Sequence, residues 1–332
     1  MKNKYIFFRT DRIGDFLLSA VLIKSIKRSD KNSFITVIAS KKNYSYIKNF
    51  DFINEVILFP ESYLSKITFY LSFILKKFYL IALLDGKKRS LYFSFLTRSK
   101  FKFLFTYKNF YKSFLSIFFT KIFHDKDSSS KISEIKQLLR FLNFDLAKID
   151  FNTIDKSSVL LRNFNIPLSD KYTLLHFDEK WILNDYISTY RPIEPESEET
   201  LMNFIEKLVH KTKNDIFIST GNIPNKFTRF LKVKFFKKDN NIYEFTIFKN
   251  KVFFFDDISF LELEKLILSS NLLITCHGAA THVAASFNIK IIDIIDNSEK
   301  VFFNKWTSHF DNYKSLERNS FKSLTNKIIN NC

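Results

Sequence analysis

Acidic residues are scarce in this sequence, and glycine and cysteine scarcer still. Against 52 Lys and Arg stand 34 Asp and Glu, and among 332 residues there are 4 Gly and 2 Cys. Cys276 and Cys332 have neither the density of a disulfide scaffold nor the spacing of a zinc site, which fits a reducing compartment. The best candidate for a bilayer span, residues 67–84, is broken by Lys76 and Lys77, so no transmembrane helix is expected. The apolar run between Lys4 and Arg9 is too short for a signal-peptide core and lacks a small-residue cleavage site, so a cytoplasmic protein is expected. What is present, 46% apolar and 26% charged residues, is the composition of a soluble globular chain. The length suggests two domains at roughly 150 residues each, and no repeat of fixed period is visible.

The net charge of +18 is unevenly distributed. Residues 1–130 hold 24 bases against 9 acids, whereas residues 131–332 hold 28 against 25. Between Asp85 and Asp125 there is no acid, and nine bases, among them Lys87, Lys88, Arg89, Lys100, Lys102 and Lys108, are interleaved with Phe and Tyr. Such a stretch should attract something anionic, although some of its aromatics are expected to be core.

Short β-type runs alternate with helical spacings along the chain. Strands are expected at residues 4–8, 33–39, 56–59 and 79–84, and helices from Leu17 to Ile26, from Tyr44 to Asn49 and from Tyr63 to Phe78. A second series starts at Tyr172 and continues to Ile295, after a low-periodicity connection at residues 143–170. Alternation of this kind implies parallel sheets covered on both faces, and two Rossmann-like halves, residues 1–155 and 156–332, are the economical reading. Ligands then sit at the carboxyl ends of the strands.

Three loops at such ends carry chemistry. In Asp11-Arg12-Ile13-Gly14-Asp15, Gly14 leaves room for a ligand and Asp15 falls at a helix start, where an ionised carboxylate is favoured and could act as a base. A simple helix cap is the alternative. In His176-Phe177-Asp178-Glu179-Lys180-Trp181, Lys180 could reach a diphosphate as a flexible point charge, or the loop could merely be charged and solvated. In Cys276-His277-Gly278-Ala279-Ala280-Thr281-His282, small residues at a helix start make an anion site, and His282 could donate to a phosphate oxygen or simply cap the helix. His277 and His282 do not share a helical face, so no metal pair is expected.

The segment IFFRTDRIGDFLLS resembles the opening of glycosyltransferase family 9, the lipopolysaccharide heptosyltransferases, with its basic-x-Asp-Arg-Ile-Gly-Asp signature. LLHFDEKW, FDDISFLELEKLILSSNLLIT and LITCHGAATHVAASFNIKIIDII are similar to later elements of that family. Cys276-His277-Gly278 stands where members usually carry Asp-Ser/Thr-Gly, with one more residue before the histidine. The resemblance implies a GT-B fold, two Rossmann-like domains facing across a cleft, and inverting transfer that needs neither metal nor cofactor. On it Asp15 takes the catalytic-base position and Gly14, Lys180, Gly278, Ala279, Thr281 and His282 the donor diphosphate site. Arg12, Lys87, Lys88, Arg89, Lys100 and Lys102 form the acceptor or membrane face. The implied partners are a nucleotide sugar such as ADP-heptose, a lipid-anchored glycan acceptor and the anionic inner-membrane surface, and no nucleic acid. Two other classes compete: a nucleic-acid-binding protein using the basic aromatic stretch, and a metal-dependent GT-A transferase using Asp125-Lys126-Asp127 as its clamp.

Overall fold

The computed structural model describes residues 2–106, 115–124, 130–167, 171–182, 193–221, 223 and 226–332. Asp125, Lys126 and Asp127, the candidate metal clamp, lie outside the described residues, as do Lys108 and Lys112 of the basic stretch. The chain separates into two compact units, Met1–Thr153 and Ile154–Cys332.

The first unit is built on a parallel sheet of β1 (Lys4–Arg9), β2 (Phe34–Ala39), β3 (Glu55–Leu58), β4 (Lys77–Leu83), β5 (Arg98–Thr106) and β6 (Lys121–His124), in the order β3-β2-β1-β4-β5-β6. β1 reads as an unbroken apolar run because both of its faces are covered: every residue after Lys4 is buried. The described helices are α1 (Ile13–Ser29), α2 (Tyr44–Ile47), α3 (Tyr63–Leu71), α4 (Lys88–Leu96) and α5 (Lys131–Phe141). α3 is shorter than its periodicity predicts. Phe69 and Phe73 keep a helical spacing, yet Phe73 folds onto Phe93 from the turn after α3, and Phe78 does so from the start of β4. The basic stretch is itself secondary structure, α4 and two strands, and Phe93 and Phe103 within it are completely buried. Those aromatics are core.

The second unit places its strands in the order β14-β13-β12-β7-β8-β11-β10-β9. β7 (Tyr172–His176), β8 (Asp215–Ser219), β11 (Asn250–Phe255), β12 (Leu272–Cys276), β13 (Lys290–Ile295) and β14 (Tyr313–Glu317) are parallel, whereas β9 (Phe236–Asp239) and β10 (Ile242–Ile247) extend β11 as an antiparallel edge that sequence alternation did not anticipate. Its helices are α6 (Lys156–Leu160), α7 (Glu198–Thr212), α8 (Lys226–Lys234), α9 (Phe260–Ser269), α10 (Ala279–Phe287), α11 (Lys300–Thr307) and α12 (Phe321–Asn331). The carboxyl ends of β7, β8, β12 and β13 therefore lie side by side, and each continues into a loop carrying polar side chains.

Candidate active site

In the first unit, Arg9 ends β1 with a buried guanidinium that organises the following loop. Its Nε donates to the Asp15 carbonyl at 3.0 Å and to Ser19 Oγ at 2.8 Å, and Nη1 donates to the Leu84 carbonyl at 2.6 Å while pairing with Asp11 at 3.1 Å. This ties the start of α1 to the end of β4. Asp15 is partly exposed in the first turn of α1, and one carboxylate oxygen accepts from the Arg12 N–H at 3.2 Å. The cap reading and the base reading are compatible, because that contact uses a single oxygen. Gly14 stands beside it in the same turn, and Arg12 is exposed.

Beneath the loop lies a buried acid that sequence reasoning did not select. Asp85 accepts from Thr10 Oγ1 at 2.5 Å and from Ser90 Oγ at 2.7 Å. Burial raises its proton affinity above that of an ordinary carboxyl, and the Ser90 and Thr10 hydrogen bonds oppose the shift. Lys87 pairs with Asp11 and donates to the Thr10 carbonyl, and Arg89 donates to Thr10 Oγ1. Lys87 and Arg89 thus converge with Asp11 and Asp15 at one sheet edge, and Lys88 is exposed next to them. Lys100 and Lys102 lie elsewhere, in β5. The Lys100 ammonium sits over the Tyr79 and Phe101 rings, and the half-buried Lys102 donates to the Ser94 carbonyl, its ammonium acidified by desolvation.

In the second unit, the loop after β7 turns through a single 3-10 turn, Glu179–Trp181. Trp181 is fully buried and its indole N–H donates to the His176 carbonyl at 3.0 Å, which fixes the turn. Lys180 is nearly buried. Desolvation lowers its pKa, but Asp178 at 2.8 Å reverses the balance and raises the ammonium above its usual pKa. Asp178 is 3% exposed, and its other oxygen meets no donor within the described residues. Glu179 is pushed up by burial and by Asp178, and its carboxylate lies where a side chain at Gly221 would be. A Cβ at Gly278 would likewise strike the Lys180 ammonium, so the lysine rests directly on the backbone of the loop after β12. The φ of Gly278 is 173°, extended backbone open to any residue; the glycine is needed for space alone.

That loop leads into α10 with Ala279 and Thr281 in the first turn. Thr281 accepts from the Gly278 N–H at 3.2 Å and donates to Asp293 at 3.1 Å. Asp293 also meets His277 Nδ1 at 2.6 Å and the Tyr313 hydroxyl at 2.9 Å. His282 packs against His277 and Phe310 and makes no hydrogen bond to described residues. Burial first, then His277 and His309, keep it neutral, its pKa well below the usual histidine value. Of the residues expected from sequence, Lys180, Gly278, Ala279, Thr281 and His282 come together here, whereas Gly14 belongs to the other unit. Asp178, Asp293 and Arg318 were missed. Asp293 had a signal, as the lone acid inside the apolar run Lys290–Ile295. Arg318 had none. It donates to the Lys180 carbonyl at 2.8 Å and to Cys276 Sγ at 3.4 Å, and burial pushes that thiol up to about 12.

A buried ammonium resting on a glycine loop at a helix N-terminus is an arrangement for an anion. No protein-family model and no curated protein matches the sequence. Solved structures do match. The chain superposes on the E. coli heptosyltransferase WaaC with ADP-2-deoxy-2-fluoro heptose with a TM-score of 0.67 and 10% identity, covering 99% of this chain and 100% of that one. A glycosyltransferase family 9 protein from Veillonella parvula gives 0.61 and 13% identity over 100% and 92% of the two chains. A UDP-GlcNAc 2-epimerase from Methanocaldococcus jannaschii gives 0.57 and 12% identity over 99% and 92%. The chain therefore has the GT-B fold, with two Rossmann-like domains, and the structures sharing it include members of the family its motifs resemble.

Proposed function

We propose that the protein is a nucleotide-sugar glycosyltransferase of the heptosyltransferase kind, which moves a heptose or related sugar to a lipid-anchored, lipopolysaccharide-type acceptor at an anionic membrane surface. The observation that carries this reading is Lys180, held charged by Asp178 and seated on the loop that opens α10. The second unit is the donor domain and the first the acceptor domain. Asp15 takes the proton from the acceptor hydroxyl as its oxygen attacks the anomeric carbon. The carbon–oxygen bond to the diphosphate breaks on the opposite face, and its electron pair leaves on the nucleotide diphosphate. Configuration is inverted. Lys180, the amides after Gly278 and a neutral N–H of His282 receive the developing charge, which removes the need for a metal; fixed donors aimed at developing charge are commonly the largest catalytic contribution.

A thermal-shift screen of ADP-, UDP- and GDP-sugars, followed by transfer assays with the stabilising donor in the presence of a chelator, tests the reading. Stabilisation by one nucleotide class and chelator-insensitive transfer are expected. Conversion of UDP-GlcNAc without transfer would overturn it in favour of an epimerase. RNA retention abolished by salt, with no nucleotide-sugar binding, would point instead to the nucleic-acid reading.

A further inference from the structure

One face of the first unit is covered by α3, α4 and the 3-10 turn Leu115–Ile117, whose inward residues join the core around Phe8, Phe73 and Phe93. Outward, this covering is apolar. No residue of α3 is fully buried, and Leu64, Ile67 and Leu71, followed by Leu75 in the next turn, are 76, 39, 60 and 91% exposed. Spacings of three and four residues line Leu64, Ile67 and Leu71 along one stripe of α3, and Leu75 follows in the next turn. On α4 and just after the 3-10 turn, Phe95 and Phe118 are exposed as well and touch edge to face at 5.1 Å. Single exposed leucines need no explanation, but a contiguous patch of this kind marks a contact surface.

Charge identifies the occupant. Between Glu61 and Asp125 the only acid is Asp85, which is buried under Thr10 and Ser90. Lys76 and Lys77 follow Leu75 directly and are exposed, as are Lys88 and Arg98 at the two ends of α4. Nucleic acid is met by ring platforms beside cations, whereas here one ring, Tyr63, stands beside the aliphatic Leu64, Ile67, Leu71 and Leu75, and the two most exposed apolar groups of this surface, Leu75 and Ile117, are aliphatic. An apolar stripe followed by Lys76 and Lys77, in a stretch from Ser62 to His124 whose one acid is buried, matches acyl chains beneath phosphate headgroups, and the exposed Glu61 ahead of α3 is paired with Lys41. We propose that α3 and the adjoining surface of α4 dock the protein on an anionic lipid bilayer, with Leu64, Leu71 and Leu75 entering the acyl boundary and Lys76 and Lys77 at headgroup level. This rests on the membrane-surface part of the proposed function and centres it on α3 and Lys76 and Lys77, ahead of the basic stretch that begins with α4.

Sedimentation of the full chain with vesicles of phosphatidylcholine alone, or mixed with phosphatidylglycerol, tests it at low and high salt. The wild type should pellet with the mixed vesicles. Leu64→Gln/Leu71→Gln/Leu75→Gln should weaken that binding by at least ~10-fold, since three exposed apolar side chains lose their insertion. Lys76→Glu/Lys77→Glu should weaken it as well and remove much of its salt sensitivity. All five positions are exposed, so unchanged melting temperature and unchanged nucleotide-induced stabilisation are expected. Undiminished binding by both variants would overturn the assignment while leaving the membrane reading intact. A wild type that binds neither vesicle overturns both. Lipid-independent dimers that the leucine substitutions dissolve would show that a second copy covers the stripe, and overturn it too. Transfer to a soluble acceptor tests the transferase reading separately.

Discussion

Lys180 keeps its charge in a place where burial works against it, and that single ammonium is expected to dominate donor affinity. Lys180→Ala should weaken nucleotide diphosphate binding by roughly 10-fold to 100-fold, the range for losing a charge-assisted contact, as read by calorimetry. His282→Ala should cost less, because a neutral imidazole offers one N–H. Neither should change acceptor binding. Asp15→Asn preserves the acceptor oxygen of the cap but cannot take a proton, so turnover should fall by ~100-fold or more with the fold and donor affinity retained. A folded Asn variant with full turnover would return Asp15 to the role of a cap. His176 gives a residue-scale prediction about stability. Burial holds it at about 4 instead of the usual 6.5, with Asp178 and Lys180 acting in opposite directions on top of that. In that window the unfolded chain binds the proton that the folded chain refuses, so the contribution of His176 is full above about 6.5 and is lost as pH falls towards about 4. Urea midpoints should therefore drop over this range, and His176→Gln should flatten the drop.

At the scale of elements, two glycines separate folding from function. Gly86 turns the chain after β4 with a φ of +57°, and a Cβ there would meet the Phe105 carbonyl oxygen at 2.7 Å. Gly86→Ala should destabilise the protein by about 1–3 kcal/mol, from backbone strain and overpacking combined. At Gly278 the obstruction is the movable end of a lysine. Gly278→Ala should leave the melting temperature close to wild type while weakening the nucleotide, by displacing the Lys180 ammonium. Legibility in the sequence divides along similar lines. The strands β1, β7, β12 and β13 were readable because parallel strands buried on both faces are unbroken apolar runs, and the loops that carry Gly14, Gly278 and His282 could be located from their place after such runs. α4, β5 and β6 were not, because lysines and arginines on their exposed sides obscured the alternation. β9 and β10 were missed because edge strands carry charge: all four residues of β9 are exposed. Asp178, Asp85 and Arg318 matter through contacts with residues close in space, Arg318 reaching across the sheet to Lys180, and no local pattern announces such contacts.

For the molecule as a whole, charge and ligand act on different units. Salt should weaken association with anionic vesicles while leaving the donor nucleotide bound, because the excess of bases over acids is concentrated in residues 1–130 and the nearly buried Lys180 is screened little. A nucleotide at ~100 times its dissociation constant should add about 2.7 kcal/mol to stability, measurable as a rise in melting temperature that Lys180→Ala abolishes. The pairing of Lys180 with Asp178 has a further consequence. The proposed donor site is neutralised before any ligand arrives, so a diphosphate entering it would bring its negative charges up against Asp178 and against Glu179, which burial already inclines towards its acid form. Binding should therefore draw a proton from solvent. The heat of binding would then depend on the ionisation enthalpy of the buffer, and affinity would rise as pH is lowered. Each catalytic cycle would in that case take up a proton with the donor and give it back when the spent nucleotide departs.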